Sequence, residues 1–188
     1  MKKLMFMFGV FALAVSAQAA SVKWTCTNVY APNATDKMDG IAYFVNAATL
    51  SQGSLASLKS ASDFTQALDG MYSWTPTTAG NYGSTASNTA LGYSEDGGQE
   101  VSAYLLIFDT ATITDDSKYF TTDAKTFTTF TGTQTASVSF MSQATASRAA
   151  GAWSSVVPTG GGENVPEPTS GLLMLLGMAG LALRRKCA

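Results

Sequence analysis

Acidic side chains are the residues of this chain whose type and spacing could support catalysis. Six of them lie near predicted turns on either side of one strongly apolar segment: Glu95, Asp96, Glu100, Asp109, Asp115 and Asp116. A glycosidase needs two carboxyl groups about 5 to 10 Å apart, one of them with a raised pKa. Adjacent acids in a turn usually point apart, and a chain with no His has no nucleophile–histidine pair. We therefore expect a protein that is not an enzyme and has no catalytic residues.

The same acidic turns could bind a hard cation. Calcium takes carboxylate and carbonyl oxygens, which residues 96–100, or Asp109 with Asp115 and Asp116, could supply. Their spacing is not that of an EF-hand loop, so a polar turn without metal is the preferred interpretation. Two Cys and no His cannot build a structural zinc site. The sequence thus predicts neither a metal nor another cofactor.

Aromatic side chains in the Gly-, Ser- and Asn-rich segment 72–98 could stack on sugar rings. The segment contains Tyr72, Trp74, Tyr82 and Tyr93. Such residues would suit a carbohydrate-binding module, and Trp74 and Tyr82 are the candidate glycan contacts. The structural alternative is that these aromatic residues hold the loops of the segment against a β core.

The elements that must position these side chains follow from the hydrophobic pattern. Val22, Trp24 and Cys26 alternate with polar residues, which indicates a strand with one buried face. On that face Cys26 is expected to act as a small hydrophobic residue, the alternative being a reactive or intermolecular thiol. Residues 31–40 are rich in turn formers and lead to a second predicted strand over 41–45.

Residues 101–108 form the strongest predicted strand. Their apolar side chains fall on both faces, which is typical of a central strand covered on both sides. Four short segments follow and are predicted to be strands joined by short turns in an antiparallel meander: 118–122, 126–131, 136–140 and 153–157.

One helix is predicted ahead of these strands, over residues 54–69. Its apolar positions recur every three or four residues, at Leu55, Leu58, Ala61, Phe64 and Leu68. Asp63 could cap a second piece if the helix breaks, and Gly70 is placed to end it. Segment 72–98 is either a long loop or a set of weak strands. The predicted fold class is therefore mainly β, an antiparallel β-sandwich-like domain with one short helix, and the alternative is α+β.

The N-terminus has the features of a secretory signal peptide. Lys2 and Lys3 precede an apolar run over 4–15, and Ala17 and Ala19 supply the small residues that signal peptidase accepts. The run is shorter than the roughly 20 residues that a membrane span needs, which argues against a first transmembrane helix. We expect a signal helix over residues 1–19, cut by signal peptidase after Ala19.

The C-terminus combines a motif, a short apolar helix and a basic cluster. A Gly-rich linker over 159–164 precedes Pro166, Glu167 and Pro168. The predicted anchor helix is Gly171, Leu172, Leu173, Met174, Leu175, Leu176, Gly177, Met178, Ala179, Gly180, Leu181, Ala182 and Leu183. At about 1.5 Å per residue this run is shorter than a hydrocarbon core of about 30 Å. The stop-transfer cluster after it, which should remain cytoplasmic, is Arg184, Arg185 and Lys186.

These features in this order resemble the PEP-CTERM sorting signal. The resemblance covers residues 165–188 and implies recognition of Pro166, Glu167 and Pro168 by an exosortase-type processing protease of Gram-negative and related bacteria. It further implies a transient inner-membrane anchor, cleavage near the motif, and a setting of exopolysaccharide, biofilm or envelope assembly. The alternative is an ordinary C-terminal anchor helix.

The remaining segment, an exported domain over 20–158 with its linker, is acidic. Residues 20–165 contain six basic and twelve acidic side chains, a net charge of −6, so we expect no nucleic-acid partner. The sequence predicts a cell-surface or extracellular-matrix protein with a structural or adhesive role. A carbohydrate-binding module of the same envelope system, with a polysaccharide partner, is the alternative.

Overall fold

Strands dominate residues 20–158, which are the part of the chain that this computed structural model describes. These residues form one α-helix, α1 (Ala61–Ala67), and two 3₁₀ helices, Gln52–Ser57 and Thr89–Leu91. Their strands are β1 (Ser21–Thr27), β2 (Ala42–Asn46), β3 (Ser73–Trp74), β4 (Tyr82–Ser87), β5 (Glu100–Phe108), β6 (Lys118–Thr121), β7 (Lys125–Thr128), β8 (Thr135–Ser142) and β9 (Ser154–Ser155). The prediction of a mainly β fold is confirmed. The predicted flanking helices and the Gly-rich linker lie outside the described residues.

The strands are arranged in two sheets. The smaller has the order β4-β1-β8, and the larger has the order β3-β2-β5-β6-β9, with β7 also paired to β5. β1 is antiparallel to β4 but parallel to β8, so the prediction of an antiparallel β-sandwich-like domain is wrong at the β1–β8 pair. Most of the domain lies between these two strands in sequence. No short hairpin turn therefore forces them to be antiparallel.

The late strands do not form the predicted meander. β6 and β7 pair with successive parts of the same edge of β5, through pairs such as Leu106–Thr121 and Ala103–Lys125. Between β6 and β7, Thr122 continues the hydrogen bonding along this edge of β5, because its hydroxyl accepts a hydrogen bond from the Leu105 N–H at 3.0 Å. β8 then crosses to the other sheet. Each predicted segment overlaps a strand, but β7 and β9 are shorter than the predicted 126–131 and 153–157, and the predicted order of pairing is wrong.

The main hydrophobic core lies between the two sheets. Alternate residues of β1, β4 and β8 meet the inward side chains of β2 and β5, including Trp24, Phe44 and Phe140. The Phe44 ring lies at its centre, with ring centroids 5.9 Å from Trp24, 6.0 Å from Phe140 and 6.4 Å from Phe127. This tilted and edge-to-face packing is the favoured geometry for aromatic pairs.

A second core covers the opposite face of the larger sheet. Tyr104, Leu106 and Phe108 of β5 pack there with Phe64 of α1 and Leu55 of the first 3₁₀ helix. Because Ala103, Leu105 and Ile107 face the main core, β5 is buried on both faces, as its sequence predicted. The helices therefore form a third layer on the larger sheet.

The predicted helix over 54–69 is broken into two pieces, Gln52–Ser57 and α1. Ser60 is the N-cap of α1, and its hydroxyl accepts a hydrogen bond from the Asp63 N–H at 3.2 Å. The Asp63 carboxylate in turn accepts from the Lys59 N–H at 2.8 Å. The second piece is therefore capped by Ser60 and not by Asp63, which is the third helical residue of a capping arrangement. Gly70 follows the helix with a positive φ of 72°, as the end signal predicted.

Segment 72–98 contains weak strands rather than a single long loop. β3 pairs with β2, and β4 pairs with β1 over six residues, from Ser21–Ser87 to Cys26–Tyr82. The second of the two interpretations is therefore confirmed.

The predicted turn before β2 ends at Gly40, where a Cβ atom would overlap the Phe108 carbonyl group. This close approach explains why the turn ends in Gly.

Candidate functional site

Two of the six candidate catalytic carboxylates, those of Asp109 and Asp115, accept hydrogen bonds from backbone N–H groups. Asp109 accepts a hydrogen bond from the Lys118 N–H at 2.8 Å, where β5 and β6 separate. Asp115 accepts from the Ala61 N–H at 2.8 Å, at the start of α1. Asp96 is part of a turn with Ser94, whose hydroxyl accepts from the Asp96 N–H at 3.2 Å. Each of these acids has a structural partner, and none of these contacts joins two carboxyl groups.

The turns considered for calcium do not come together as a cluster. Within residues 20–158 there is no group of three or more Cys, Asp or Glu side chains arranged to hold a metal ion. The polar-turn interpretation accounts for the contacts of Asp96, Asp109 and Asp115 described above.

Cys26 lies in the main core, with 1% of its surface exposed. Burial raises the pKa of its thiol to about 12, since the apolar surroundings disfavour the thiolate. The thiolate is the nucleophilic form of cysteine, so the folded domain presents an unreactive thiol. This supports the interpretation of Cys26 as a small hydrophobic residue.

The aromatic residues proposed as glycan contacts are mostly core residues. Tyr82 is 2% exposed, and its hydroxyl donates a hydrogen bond to the Gly40 carbonyl at 3.2 Å. Its ring cannot reach a ligand while the sheets are packed, so Tyr82 is corrected to a structural residue. Tyr93 is also buried, whereas Trp74 is half-buried against the main core. Burial raises the pKa of both Tyr82 and Tyr93.

The domain also has a cleft that the sequence did not predict. It is lined by Pro32, Ala34, Lys118 and the turn 147–153, and its volume is about 390 Å³. We call it the basic cleft, because Arg148 and Lys118 both line it. Beside it the Tyr30 ring has the Lys37 Nζ atom 4.1 Å and the Arg148 Cζ atom 4.8 Å from its centroid. Cations at this distance from a ring are held by its electron-rich face.

Ser147 holds the parts of the basic cleft together. Its buried hydroxyl accepts a hydrogen bond from the Tyr30 N–H at 3.0 Å and donates one to the Gln143 carbonyl at 2.7 Å. Its carbonyl accepts from the Trp153 Nε1–H at 3.0 Å, and the Trp153 ring packs 5.7 Å from Phe120. The positions of Tyr30, Arg148 and Trp153 are therefore fixed through one buried residue.

The basic cleft could not be predicted from the sequence, for a physical reason. The cations in or beside it come from positions 37, 118 and 148, which no spacing rule connects. The turn that lines it is Ala-rich and has no helix or strand periodicity. The one available signal is that Arg148 is the only Arg between residues 20 and 165.

The predicted sorting residues lie outside the described part of the chain. This applies to Ala17 and Ala19 at the N-terminus, and to the Pro166–Glu167–Pro168 motif, the anchor helix and Arg184, Arg185 and Lys186 at the C-terminus. Within residues 20–158, no helix has both the length and the apolar character that a membrane span needs.

The fold described above is that of a mainly β protein, and comparison with known families identifies a motif in its C-terminal tail. Residues 164–186 match the PEP-CTERM protein-sorting motif, which confirms the resemblance found in the sequence. This motif implies processing by exosortase, a membrane protease, and sorting to the cell surface. No curated protein and no solved structure matches the chain.

Proposed function

We propose that this is an exported cell-surface or extracellular-matrix protein with a structural or adhesive role and no catalytic activity. The observation that carries the proposal is the PEP-CTERM motif at residues 164–186, which follows a mainly β domain in the sequence. The positions of the acids support the non-catalytic part, because Asp109 and Asp115 cap backbone groups. In this proposal signal peptidase removes residues 1–19 and residues 171–183 hold the chain in the inner membrane until exosortase cuts near Pro166–Pro168.

Substitution of the motif tests the sorting step. A chain with Pro166, Glu167 and Pro168 all changed to Ala should accumulate uncut in the inner membrane of its native cells. A chain with Gly160, Gly161 and Gly162 changed to Ala is the matched control and should reach the surface. Fractionation followed by immunoblotting distinguishes the two locations. Normal surface delivery of the motif variant would contradict the proposal.

Binding of an envelope polysaccharide is the second candidate function. This candidate does not rest on Tyr82, which is in the core, and Trp74 alone offers a sugar ring only a small aromatic surface. What favours it is the basic cleft, where the half-buried Trp153 and two cationic side chains line one open cavity. A non-catalytic adhesive protein needs such a surface to hold its partner.

A further inference from the structure

We propose that the basic cleft binds a carboxylate-bearing sugar polymer. This inference deepens the proposed function, on which it rests, by naming the chemical class of the partner and the residues that hold it. Arg148 and Lys118 would contact carboxylate groups, and Trp153 would pack against the apolar face of a sugar ring.

Basic side chains are concentrated at the cleft, although the domain as a whole is acidic. Residues 20–158 contain six basic side chains, and three of them, Lys37, Lys118 and Arg148, lie in or beside this cleft. On an acidic domain such a local concentration of positive charge attracts anions. A guanidinium group binds a carboxylate through two parallel hydrogen bonds, which makes Arg148 the expected principal contact.

Two of the acids near the cleft, Asp36 and Asp109, accept hydrogen bonds from groups other than its cations. Asp36, in the turn that carries Pro32 and Ala34, accepts a hydrogen bond from the Asn33 side-chain amide at 2.6 Å. Asp109 accepts from the backbone of Lys118 rather than from its ammonium group. The cation most firmly engaged is Lys37, which donates to the Asn28 Oδ1 atom at 2.8 Å and lies over Tyr30. Lys118 and Arg148 are exposed at the cleft and are therefore the expected contacts.

Residues in and beside the basic cleft are already held in position without a ligand. The hydrogen bonds of Ser147 fix the backbone of Tyr30 and the indole ring of Trp153 without any ligand. Arg148, the next residue in the chain, is held over the Tyr30 ring. A site whose side chains are already positioned loses less conformational entropy when it binds.

The shape of the cleft favours a sugar polymer over an acidic peptide. Extended peptides are commonly bound by adding a strand to an open sheet edge, through main-chain hydrogen bonds. Lys118 is the one residue lining the basic cleft that belongs to a strand, and its strand β6 is already paired with β5 on one side and β9 on the other. An aromatic wall with a few charged groups is the usual composition of a site for a small polar ring.

Binding measurements on the full-length chain in a polyoxyethylene detergent test the proposal. The probes are polygalacturonate as the anionic glycan, dextran as a neutral glycan and polyglutamate as an anionic peptide. Arg148→Ala and Lys118→Ala should each weaken polygalacturonate binding by about tenfold, the effect of losing one charge-assisted contact. Lys23→Ala is the matched control, because it removes the same charge from the exposed face of β1. It should change the affinity by less than about twofold.

Each outcome decides the proposal. Binding of polygalacturonate but not dextran or polyglutamate, lost in the two cleft variants, supports it. Equal binding of dextran or polyglutamate, equal losses in all three Lys and Arg variants, or no binding of polygalacturonate would overturn it. A chain that reaches the cell surface and fails to bind would refute this site while leaving the proposed function intact.

Discussion

The two buried tyrosines of segment 72–98 differ in one hydrogen bond. The Tyr82 hydroxyl donates to the Gly40 carbonyl, whereas the Tyr93 hydroxyl has no partner among the described residues. Tyr82→Phe leaves that carbonyl unsatisfied and should lower the free energy of unfolding by about 1 kcal/mol. Tyr93→Phe, the matched control, should be neutral or stabilising. Urea unfolding of both variants checks this, and equal destabilisation would contradict the assigned hydrogen bonds.

The raised pKa of Cys26 predicts both low reactivity and sensitivity to base. In a chain carrying Cys187→Ser, the folded domain should not react with a disulfide reagent at pH 8, and should react once it is unfolded in denaturant. The folded thiol keeps its proton to about pH 12, against about 9 for the free thiol. The folded state thus binds more protons over that range, so its stability should fall as the pH rises through it. Rapid labelling without denaturant would contradict the burial of Cys26.

At the scale of elements, the strand over 101–108 was predictable from its continuous apolar run, and the helical face over 54–69 from apolar residues three and four positions apart. A break in the helix was allowed for, but its position between Leu58 and Ala61 was not predictable, because Leu58 and Ser60 take extended conformations that the apolar spacing does not reveal. The parallel pairing of β1 with β8 was also hidden, since it joins segments more than 100 residues apart. The basic cleft depends on the same long-range pairing and was hidden with it.

Gly40 tests how closely the turn before β2 approaches β5. A Cβ atom at this position would overlap the Phe108 carbonyl, so Gly40→Ala must displace backbone. We expect a loss of about 1 to 3 kcal/mol of unfolding free energy, the usual cost of overpacking. Gly53→Ala is the control, because a Cβ atom there meets only the Ser51 hydroxyl at 4.0 Å. Thermal unfolding of the pair should separate them clearly, and similar midpoints would contradict the packing.

For the whole molecule, sequence and structure contribute different parts of the account. Linear motifs such as Pro166–Glu167–Pro168 keep their meaning without tertiary structure, so the sorting tail could be predicted from the sequence and is confirmed by its family match. The role of the domain depends on which side chains meet in space. Tyr82 was placed wrongly and Arg148 was missed because only the fold shows that one is buried and the other lines a cleft.

The most direct test of the central claim is the intact mass and location of the protein from its native cells, with and without the exosortase-type protease. The account predicts a species that begins near Ala20, ends before Gly171 and lies outside the inner membrane. Without the protease, the C-terminal trimming should be lost. A full-length C-terminus that remains in the inner membrane of cells containing the protease would contradict the account.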